Sequence, residues 1–421
     1  MQKIIIFLCV LCFVTIFIIN DAIATEEKII SHDLVSPLGL ETPIIFDDNL
    51  VVEEFVTGLN FPTTMDFIGN DIFVLEKNSG NVRLIKNGIL QTEPILRLDV
   101  ASFRENGLFG IAVKDESVYL RYTTNDVKND SQINWFYKYH WDGEELTNPI
   151  LIKKISAGEI HNGGIMAVDP NNRIFTIIGD LGNKKNGPFQ NQIAGKIDDT
   201  GVIMVIEPTE EYHAIGIRNS FGLTFDPVTG LLWDTENGPA SIDEINLVQK
   251  GFNSGWDKIM GHTKNDIEKT SAFSENIFLP ERWYNFFVKI LKGDDDVFSN
   301  FNTVYGKFEY SEPEFTWVKS IGITSIHFVH SSKFQDYHNT VLVGDFNNGY
   351  LYKFTLNEER NGFVFEDENL QDLVLNIGDK NDEIVFGEGF AGITDIKEGP
   401  DGSIYIVSIG AGKIFRITPS I

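Results

Sequence analysis

Short apolar stretches alternate with turns along most of the chain, and many of them begin near a glycine. In the segment from His161 to Asp180, a polar tip and two glycines lead into an apolar stretch that ends at Val168. A turn over 169–172 and a second apolar stretch over 174–178 follow. This pattern predicts a β-hairpin with a histidine at its start.

The same arrangement occurs six times after residue 50. Its units are anchored near Pro62, Gly110, Gly164, Gly222, Gly322 and Gly392. Repeated units of three or four short strands are typical of radial repetition, so we predict an all-β fold, a six-bladed β-propeller. A strand over 51–59 precedes the first unit and would complete the last blade, which protects edges that would otherwise be exposed. A two-sheet sandwich is the alternative, but it does not explain why the glycine-led strand recurs.

The predicted propeller spans 51–421, with an insertion over about 253–310 between the fourth and fifth blades. That insertion is polar and aromatic and does not follow the repeat. Residues 25–50 are polar, contain two prolines and are predicted to be an extended lead-in.

Residues 1–24 have the features of a secretory signal peptide: an apolar run after Lys3, then the small-x-small sequence Ala22-Ile23-Ala24. The run is shorter than the ~20 apolar residues that a spanning helix needs. We therefore expect cleavage before Thr25 and a secreted or extracytoplasmic protein without strong membrane association, with an uncleaved membrane anchor as the alternative. The two cysteines, Cys9 and Cys12, both lie in this segment, so the mature chain would have no disulfide.

The formal charge of −27 at pH 7 changes which partners are expected. Such an acidic surface argues against nucleic acid and anionic membranes, and it is compatible with calcium or neutral substrates.

In a propeller, the first strand of each blade lines the central channel, so residues just before the anchor glycines should converge on one mouth. Three residues before five of these glycines stand Gly107, His161, Asn219, Lys319 and Gly389. Their neighbours include Glu105, Asn106, Asn162 and Arg218. Polar residues and glycines often cap strand ends, but that role does not require a histidine, an arginine and a lysine at equivalent positions. We therefore predict that these side chains form an active site.

Several linked motifs then point to a family. They are His161-Asn-Gly-Gly164 with Gly179-Asp180, Gly216-Ile-Arg-Asn-Ser-Phe-Gly222, Glu236-Asn-Gly-Pro239, Asp243-Glu-Ile-Asn-Leu247 and Asn253-Ser-Gly-Trp256. In this order they resemble the soluble glucose/sorbosone (aldose sugar) dehydrogenase family over about 54–417. Members of that family are six-bladed propellers that use pyrroloquinoline quinone and calcium.

The resemblance implies a role for each matching residue. His161 would be the general base that takes the proton of the anomeric hydroxyl while hydride passes to the quinone. Arg218 would stabilise the charge that develops on the quinone. The carbonyl groups of Gly238 and Pro239 would hold calcium. Further cofactor-binding positions would be Glu105, Asn162, Asn219, Asn237 and Lys319.

The chain departs from the family pattern at the start of the sixth blade. Members place two arginines there to bind the carboxylates of the quinone, whereas this chain has Gly392 and Thr394. Each such charge-assisted hydrogen bond is worth about 1.5–3 kcal/mol, so their loss is expected to weaken quinone binding. Lys319 is placed to replace one of them.

The sequence thus predicts a secreted oxidoreductase that oxidises an aldose or related sugar with pyrroloquinoline quinone and passes electrons to an unknown acceptor. One alternative is a calcium-dependent, lactonase-type hydrolase in which Glu105, Asn162 and Asn219 ligate a central metal. Another is a non-catalytic extracellular propeller that binds glycan or protein.

Overall fold

The structure is a computed structural model that describes residues 43–129, 131–182, 191, 197–262 and 307–420. The predicted signal peptide, most of the predicted lead-in and most of the predicted insertion lie outside these residues. The described part is built of strands, with two short 3₁₀ helices at Ser332–Tyr337 and Glu368–Leu370. Within it, no helix is both long and apolar enough to span a membrane.

The described strands form six sheets. We call the strand of each sheet that contacts the neighbouring sheets its first strand and number the sheets by the chain order of these strands: Pro62–Ile68, Leu108–Lys114, Met166–Val168, Ser220–Phe225, Ile323–Phe328 and Ile393–Glu398. The first sheet contains Pro62–Ile68, Asp71–Glu76, Asn81–Lys86, Ile89–Leu90 and Leu96–Arg97. The second contains Leu108–Lys114, Ser117–Asp126, Ser131–Trp141 and Leu146–Ala157. The third contains Met166–Val168, Ile174–Ile178, Val202–Glu207, Glu211–Ile215, Phe252–Asn253 and Glu309–Tyr310.

The remaining three sheets follow the same order. The fourth contains Ser220–Phe225, Leu232–Glu236, Asp243–Val248, Phe315–Trp317 and Val374–Leu375. The fifth contains Ile323–Phe328, Thr340–Asp345, Leu351–Leu356, Phe363–Val364, Val385–Glu388 and Ile44–Ile45. The sixth contains Ile393–Glu398, Ile404–Ser408, Lys413–Pro419 and Leu50–Thr57.

The first strands of these sheets contact one another in chain order, and the first strand of the sixth sheet returns to that of the first sheet. The sheets are therefore arranged around a ring, and the predicted all-β propeller is confirmed. Neighbouring first strands run in the same direction, since Thr64 bonds to Asp395 at 2.7 Å and Asp66 pairs with Lys397 at 3.5 Å. The starts of these strands accordingly share one end of the channel.

The anchor glycines allow the inner strands to approach closely. A Cβ atom at Gly110 would lie 2.0 Å from the carbonyl oxygen of Gly164 in the next sheet. At Gly222 a Cβ would lie 2.4 Å from Oγ1 of Thr235 and 2.6 Å from the carbonyl oxygen of Thr324. All three contacts are shorter than a Cβ atom tolerates, so these two positions of the repeat require glycine.

The sixth sheet joins the two ends of the described chain. Leu50–Thr57 pairs antiparallel with Lys413–Pro419, so that Leu50 faces Pro419 and Thr57 faces Lys413. This pairing confirms that the early strand completes the last sheet. It covers an edge that would otherwise offer unpaired backbone groups.

The hydrophobic core lies between neighbouring sheets. Between the fourth and fifth sheets, Phe315 packs edge-on against Trp317 at 4.8 Å and against Phe354 at 4.9 Å, and all three side chains are buried. Aromatic pairs of this geometry contribute about 0.5–1.5 kcal/mol beyond the area that they bury.

One strand of the second sheet was not expected from the sequence. Leu146–Ala157 has 12 residues, includes Pro149 and exposes much of its length. It is the last strand in the order of its sheet, where a proline that cannot donate a hydrogen bond is tolerated.

Candidate active site

The segments that precede the first strands of the second, third and fourth sheets bring four predicted site residues together. Oε2 of Glu105 accepts the backbone N–H of His161 at 2.6 Å and Nδ2 of Asn219 at 3.2 Å. Arg218 donates from its second terminal nitrogen to Nε2 of His161 at 2.9 Å. The predicted convergence of Glu105, His161, Arg218 and Asn219 is therefore observed.

The hydrogen bonds of His161 define its chemical state. Nδ1 lies 2.7 Å from Oδ1 of Asp180, and a carboxylate accepts the proton there. Arginine can only donate, so the lone pair on Nε2 must accept from Arg218. These two partners assign the neutral imidazole with its proton on Nδ1. A base of this form can take a proton at Nε2.

The backbone at the histidine is unusual. His161 has φ of 56°, in the left-handed region, which only a few per cent of residues other than glycine adopt. Gly163 and Gly164 follow with φ of 59° and 120°. This turn directs the imidazole towards Asp180 and Arg218 while the next side chain points into the protein.

Asp180, which orients His161, is itself held in place by hydrogen bonds. Its Oδ2 accepts Nε1 of Trp256 at 2.7 Å, and its Oδ1 also accepts the backbone N–H of Gly182 at 2.7 Å. The residue is 8% exposed. Asp180 belongs to one of the sequence motifs, but it was not predicted to be a site residue. Its position two residues after the buried strand Ile174–Ile178 was the signal that could have identified it.

Arg218 is enclosed on several sides. Its first terminal nitrogen donates to the carbonyl oxygen of Asn237 at 2.8 Å, and its guanidinium lies 5.4 Å from the ring centre of Trp256. Burial lowers the pKa of Arg218, while the charges of Asp180 and Glu105 oppose that shift. Nε of Arg218 and Oδ1 of Asn219 are buried and have no hydrogen-bond partner among the described residues. A donor and an acceptor are thus left without partners beside the base.

Asn162 does not have the position expected for a cofactor-binding residue. Its Oδ1 accepts Nδ2 of Asn134 and the backbone N–H of Gly158, both at 3.0 Å. Its Nδ2 donates to the carbonyl oxygen of Gly158 at 2.7 Å. The side chain is 1% exposed, and both lone pairs of its oxygen are used. Asn162 therefore has a structural role, because its buried hydrogen bonds hold the start of the hairpin in place.

Asn237 and Gly238 lie where the fourth sheet meets the fifth. Nδ2 of Asn237 donates to the carbonyl oxygen of Ile323 at 2.8 Å, and the N–H of Gly238 donates to Asp243 at 3.0 Å. A Cβ at Gly238 would lie 2.0 Å from the carbonyl oxygen of Ile242, so the turn excludes any side chain. In the described part of the chain, no hydrogen bond ends on the carbonyl oxygens of Gly238 or Pro239. Both are the hard oxygen ligands that calcium prefers.

The positions of the expected cations differ from the family pattern. Lys319 is exposed, and no described hydrogen bond joins it to the other site residues. Thr394 uses its hydroxyl within the protein, donating to the carbonyl oxygen of Pro62 at 3.2 Å. Gly392 has φ of 84°, a conformation that an arginine would rarely adopt.

Lys77 supplies a cation that the sequence analysis missed. Its Nζ lies 5.6 Å from the ring centre of Phe109, which contacts Phe221 at 6.1 Å between ring centres. Burial lowers the pKa of Lys77 to about 8, and the charge of Glu105 opposes the shift. Lys77 follows the second strand of its sheet rather than preceding the first, so the offset that identified the other residues could not find it.

These residues fit the reacting part of a quinone cofactor. A neutral histidine base, an arginine N–H and an amide oxygen without partners are grouped at one place, beside carbonyl oxygens suited to calcium. Lys77, rather than an arginine pair in the sixth sheet, is the cation that could face the carboxylate groups of such a cofactor.

The fold and the site define a β-propeller oxidoreductase of the sugar dehydrogenase class. The chain belongs to the glucose/sorbosone dehydrogenase family, whose family model matches residues 59–280 and 299–416.

Three relatives in other organisms are similar to the chain. An uncharacterized protein of Synechocystis is 22% identical over 398 residues, which cover 86% of this chain and 85% of the relative. Aldose sugar dehydrogenase YliI of Escherichia coli is 24% identical, and the match covers 63% of this chain and 62% of the relative. Quinoprotein glucose dehydrogenase B of Acinetobacter calcoaceticus is 27% identical, over 38% of this chain and 41% of the relative.

Solved structures support the fold. The apo form of the soluble aldose sugar dehydrogenase of Escherichia coli has a TM-score of 0.64 at 18% identity, covering 88% of this chain and all of that one. A form of the Streptomyces coelicolor aldose sugar dehydrogenase with bound pyrroloquinoline quinone has a TM-score of 0.58, also at 18% identity, covering 89% of this chain and 99% of the other. At these identities the likeness shows the fold alone.

Proposed function

We propose that the protein oxidises an aldose or related sugar at its anomeric carbon, with pyrroloquinoline quinone as hydride acceptor and calcium as cofactor ion. The observation that carries this proposal is the placement of His161 between Asp180 and Arg218, at 2.7 and 2.9 Å. Membership of the glucose/sorbosone dehydrogenase family supports the same chemistry.

Each of the site residues would have its own role in the reaction. His161 takes the proton of the anomeric hydroxyl at Nε2, once that hydroxyl replaces Arg218 as the partner of this nitrogen. Asp180 accepts the hydrogen bond from Nδ1–H and stabilises the imidazolium that forms. A bound quinone would supply the hydride acceptor, and the N–H groups of Arg218 would stabilise the negative charge that develops there. The low exposure of Arg218 and Asn219, 8% and 4%, strengthens these interactions by excluding water.

Two ligands for calcium are proposed, the carbonyl oxygens of Gly238 and Pro239. They adjoin Asn237, whose own carbonyl oxygen holds Arg218. An ion at this position would therefore act on the same region as the arginine.

The lactonase-type alternative requires Oδ1 of Asn162 as a metal ligand. That oxygen already accepts two hydrogen bonds, at 3.0 Å each, and the side chain is buried. A non-catalytic propeller would have no use for a histidine held as a neutral base. No observation on the described residues specifically favours the hydrolase or the non-catalytic propeller.

The finer features of the architecture are proposals as well. Six sheets, whose first strands contact each other in a ring, support a six-bladed propeller. The apolar run and the small-x-small sequence near the amino terminus support export, which would place the sugar and the electron acceptor outside the cytoplasm.

The proposal is tested by titrating the purified protein with quinone and calcium, beside calcium alone, and by assaying sugar oxidation with an artificial electron acceptor. The wild type should bind the quinone and oxidise an aldose. His161→Ala should bind it equally well but lose about 10²–10⁴-fold in kcat. His140→Ala, at a histidine whose side chain is 46% exposed, is the matched control and should behave as wild type. A wild type that binds no quinone at micromolar concentration and oxidises no sugar would contradict the proposal.

A further inference from the structure

Among the residues that the structure describes, His327, His330 and Glu398 form a cluster with metal-binding chemistry away from the candidate active site. One ligand atom from each lies within 4.8 Å of the others. Nε2 of His330 lies 3.4 Å from Oε1 of Glu398, and Nε2 of His327 lies 3.9 Å from Oε2 of the same carboxylate.

The cluster lies at the other end of the channel. His327 is near the end of Ile323–Phe328, and Glu398 ends the neighbouring strand Ile393–Glu398. The candidate active site lies beside the starts of these first strands. The four residue steps from Ile323 to His327 and the five from Ile393 to Glu398 span about 13 and 17 Å at ~3.3 Å per residue, so the cluster is separate from the residues around His161.

The described hydrogen bonds around the cluster do not use Nε2 of either histidine or Oε1 of Glu398. Nδ1 of His330 lies 3.2 Å from the carbonyl oxygen of Phe328, which can only accept, so Nδ1 carries the proton and the neutral ring keeps a lone pair on Nε2. Nε2 of His327 is buried and has no hydrogen-bond partner in the described part of the chain. At 3.9 Å from the carboxylate it is beyond hydrogen-bond distance. Two nitrogen ligands thus face one carboxylate with a gap between them.

The carboxylate is also oriented by the backbone. Oε2 of Glu398 accepts the N–H of Ser331 at 2.9 Å and the N–H of His330 at 3.2 Å. Metal-binding histidines commonly donate their second nitrogen to a carbonyl group, and metal-binding carboxylates are commonly hydrogen-bonded in turn. The bond from His330 to Phe328 and the bonds to Glu398 provide both kinds of support.

We propose that His327, His330 and Glu398 bind one zinc ion, with a fourth position open to water. Two imidazoles and one carboxylate form a ligand set that zinc uses in three-ligand sites, whereas calcium and magnesium prefer oxygen ligands throughout. Zinc bonds of about 2.0–2.2 Å at tetrahedral angles place two ligand atoms about 3.3–3.6 Å apart. The separations of 3.4 Å from His330 and 3.9 Å from His327 end on different oxygen atoms of Glu398, and the three ligand atoms lie within 4.8 Å of one another, so binding would draw them together by up to about 1 Å. His330, with a half-exposed side chain, leaves a path for the ion and for water.

Binding would link two neighbouring sheets. His327 belongs to the fifth sheet and Glu398 to the sixth, whose strands include both Leu50–Thr57 and Lys413–Pro419. An ion that binds the folded chain and not the unfolded one stabilises the fold in proportion to the logarithm of its concentration. Zinc is therefore expected to raise the melting temperature.

The experiment uses the full chain after removal of metal with a chelator. Calorimetric titration with zinc should give one tight site per chain, and cobalt should give the visible absorption of a low-symmetry site. His330→Ala should weaken zinc binding by about 10–100-fold or more and abolish the zinc-dependent rise in melting temperature. His140→Ala should change neither, since His140 is equally exposed and lies 4.0 Å from Glu116 without a second histidine.

Because His327 is buried, His327→Gln is the second variant, with circular dichroism to check its fold. Tight zinc binding that persists in His330→Ala would overturn the proposal, as would a wild type that binds zinc no better than this variant. Competition by calcium at equal concentration would contradict the assigned ligand chemistry. Quinone binding and sugar oxidation are measured in parallel and should not change in His330→Ala, so failure here is distinct from failure of the proposed function.

Discussion

Oδ1 of Asp180 accepts a hydrogen bond from the Nδ1–H of His161 at 2.7 Å, and this single contact determines which nitrogen of the imidazole can act as a base. With the proton on Nδ1, the lone pair on Nε2 faces Arg218 at 2.9 Å. The aspartate thus acts through the histidine rather than on the substrate. Its own position depends on Trp256, which donates to the second carboxylate oxygen.

Asp180→Asn should therefore lower kcat without changing quinone affinity. An asparagine can donate its amide N–H to Nδ1, which favours the tautomer with its proton on Nε2 and removes the base. We expect a loss of about 10²–10⁴-fold in kcat, as for loss of a general base. Steady-state kinetics with an artificial acceptor, combined with a quinone titration, measure both quantities.

Asp169→Asn is the matched control for this variant. Asp169 is also buried, lies in the turn of the same hairpin and accepts bonds from Arg173, but it does not contact His161. If Asp180→Asn loses no more activity than Asp169→Asn, the orienting role of Asp180 is wrong.

Lys77→Met should weaken quinone binding. The charge of Lys77 offsets that of Glu105 at the channel mouth, and without it the mouth becomes more negative towards an anionic cofactor. A charge-assisted contact of about 1.5–3 kcal/mol corresponds to a loss of about 10–150-fold in affinity. Lys86→Met, at an exposed lysine that ends a strand of the same sheet, should leave the affinity unchanged.

The pKa of Lys77 makes the same effect depend on pH. Since burial lowers that pKa to about 8, the positive charge is present below pH 8 and is lost as the pH rises through that value. Quinone affinity of the wild type should fall between pH 7 and pH 9, and the fall should be smaller in Lys77→Met. Equal pH profiles for the two proteins would show that Lys77 does not titrate at the site.

The ring of strands and the centre of the site could be predicted from the sequence because both follow from the repeat. The fixed offset before each anchor glycine identified His161 and Asn219, and the structure joins them through Glu105. Asn162 shows the limit of this approach. The left-handed conformation of His161 sends the next side chain into the protein, and the offset from the glycine does not show this.

Contacts between segments that are far apart in the sequence could not be predicted from the repeat. Asp180 meets Trp256 across 76 residues, and neither occupies the repeated position before a strand. Lys77 reaches the mouth from the end of a second strand. The strand Leu146–Ala157 was missed because its exposed residues and its proline do not show the alternation that a half-buried strand would have.

Buried carboxyl groups behind the site give the last prediction, which concerns stability. Glu236 is fully buried, and burial together with the charge of Asp234 raises its pKa to about 8. Oε1 of Glu236 accepts the backbone N–H of Arg218 at 2.6 Å, and Oε2 lies 2.6 Å from the hydroxyl of Ser254. A protonated Oε2 can donate to that hydroxyl, so the neutral acid satisfies both contacts.

This raised pKa makes the folded protein less stable as the pH rises. Below about pH 4.3, the ordinary value for glutamate, both folded and unfolded chains carry the proton. Between that value and about 8 the unfolded chain releases the proton while the folded chain retains it, so the free energy of unfolding decreases with pH.

Glu236→Gln mimics the neutral acid and should reduce the fall in melting temperature between pH 5 and pH 8. The pKa of Glu314 is also raised to about 8 by burial, so part of the fall should remain. Melting curves at constant ionic strength with a chelator present measure the effect, and Glu116→Gln, at an exposed carboxylate, should melt as wild type does at each pH. A slope in Glu236→Gln equal to that of the wild type would show that Glu236 is ionised in the folded protein.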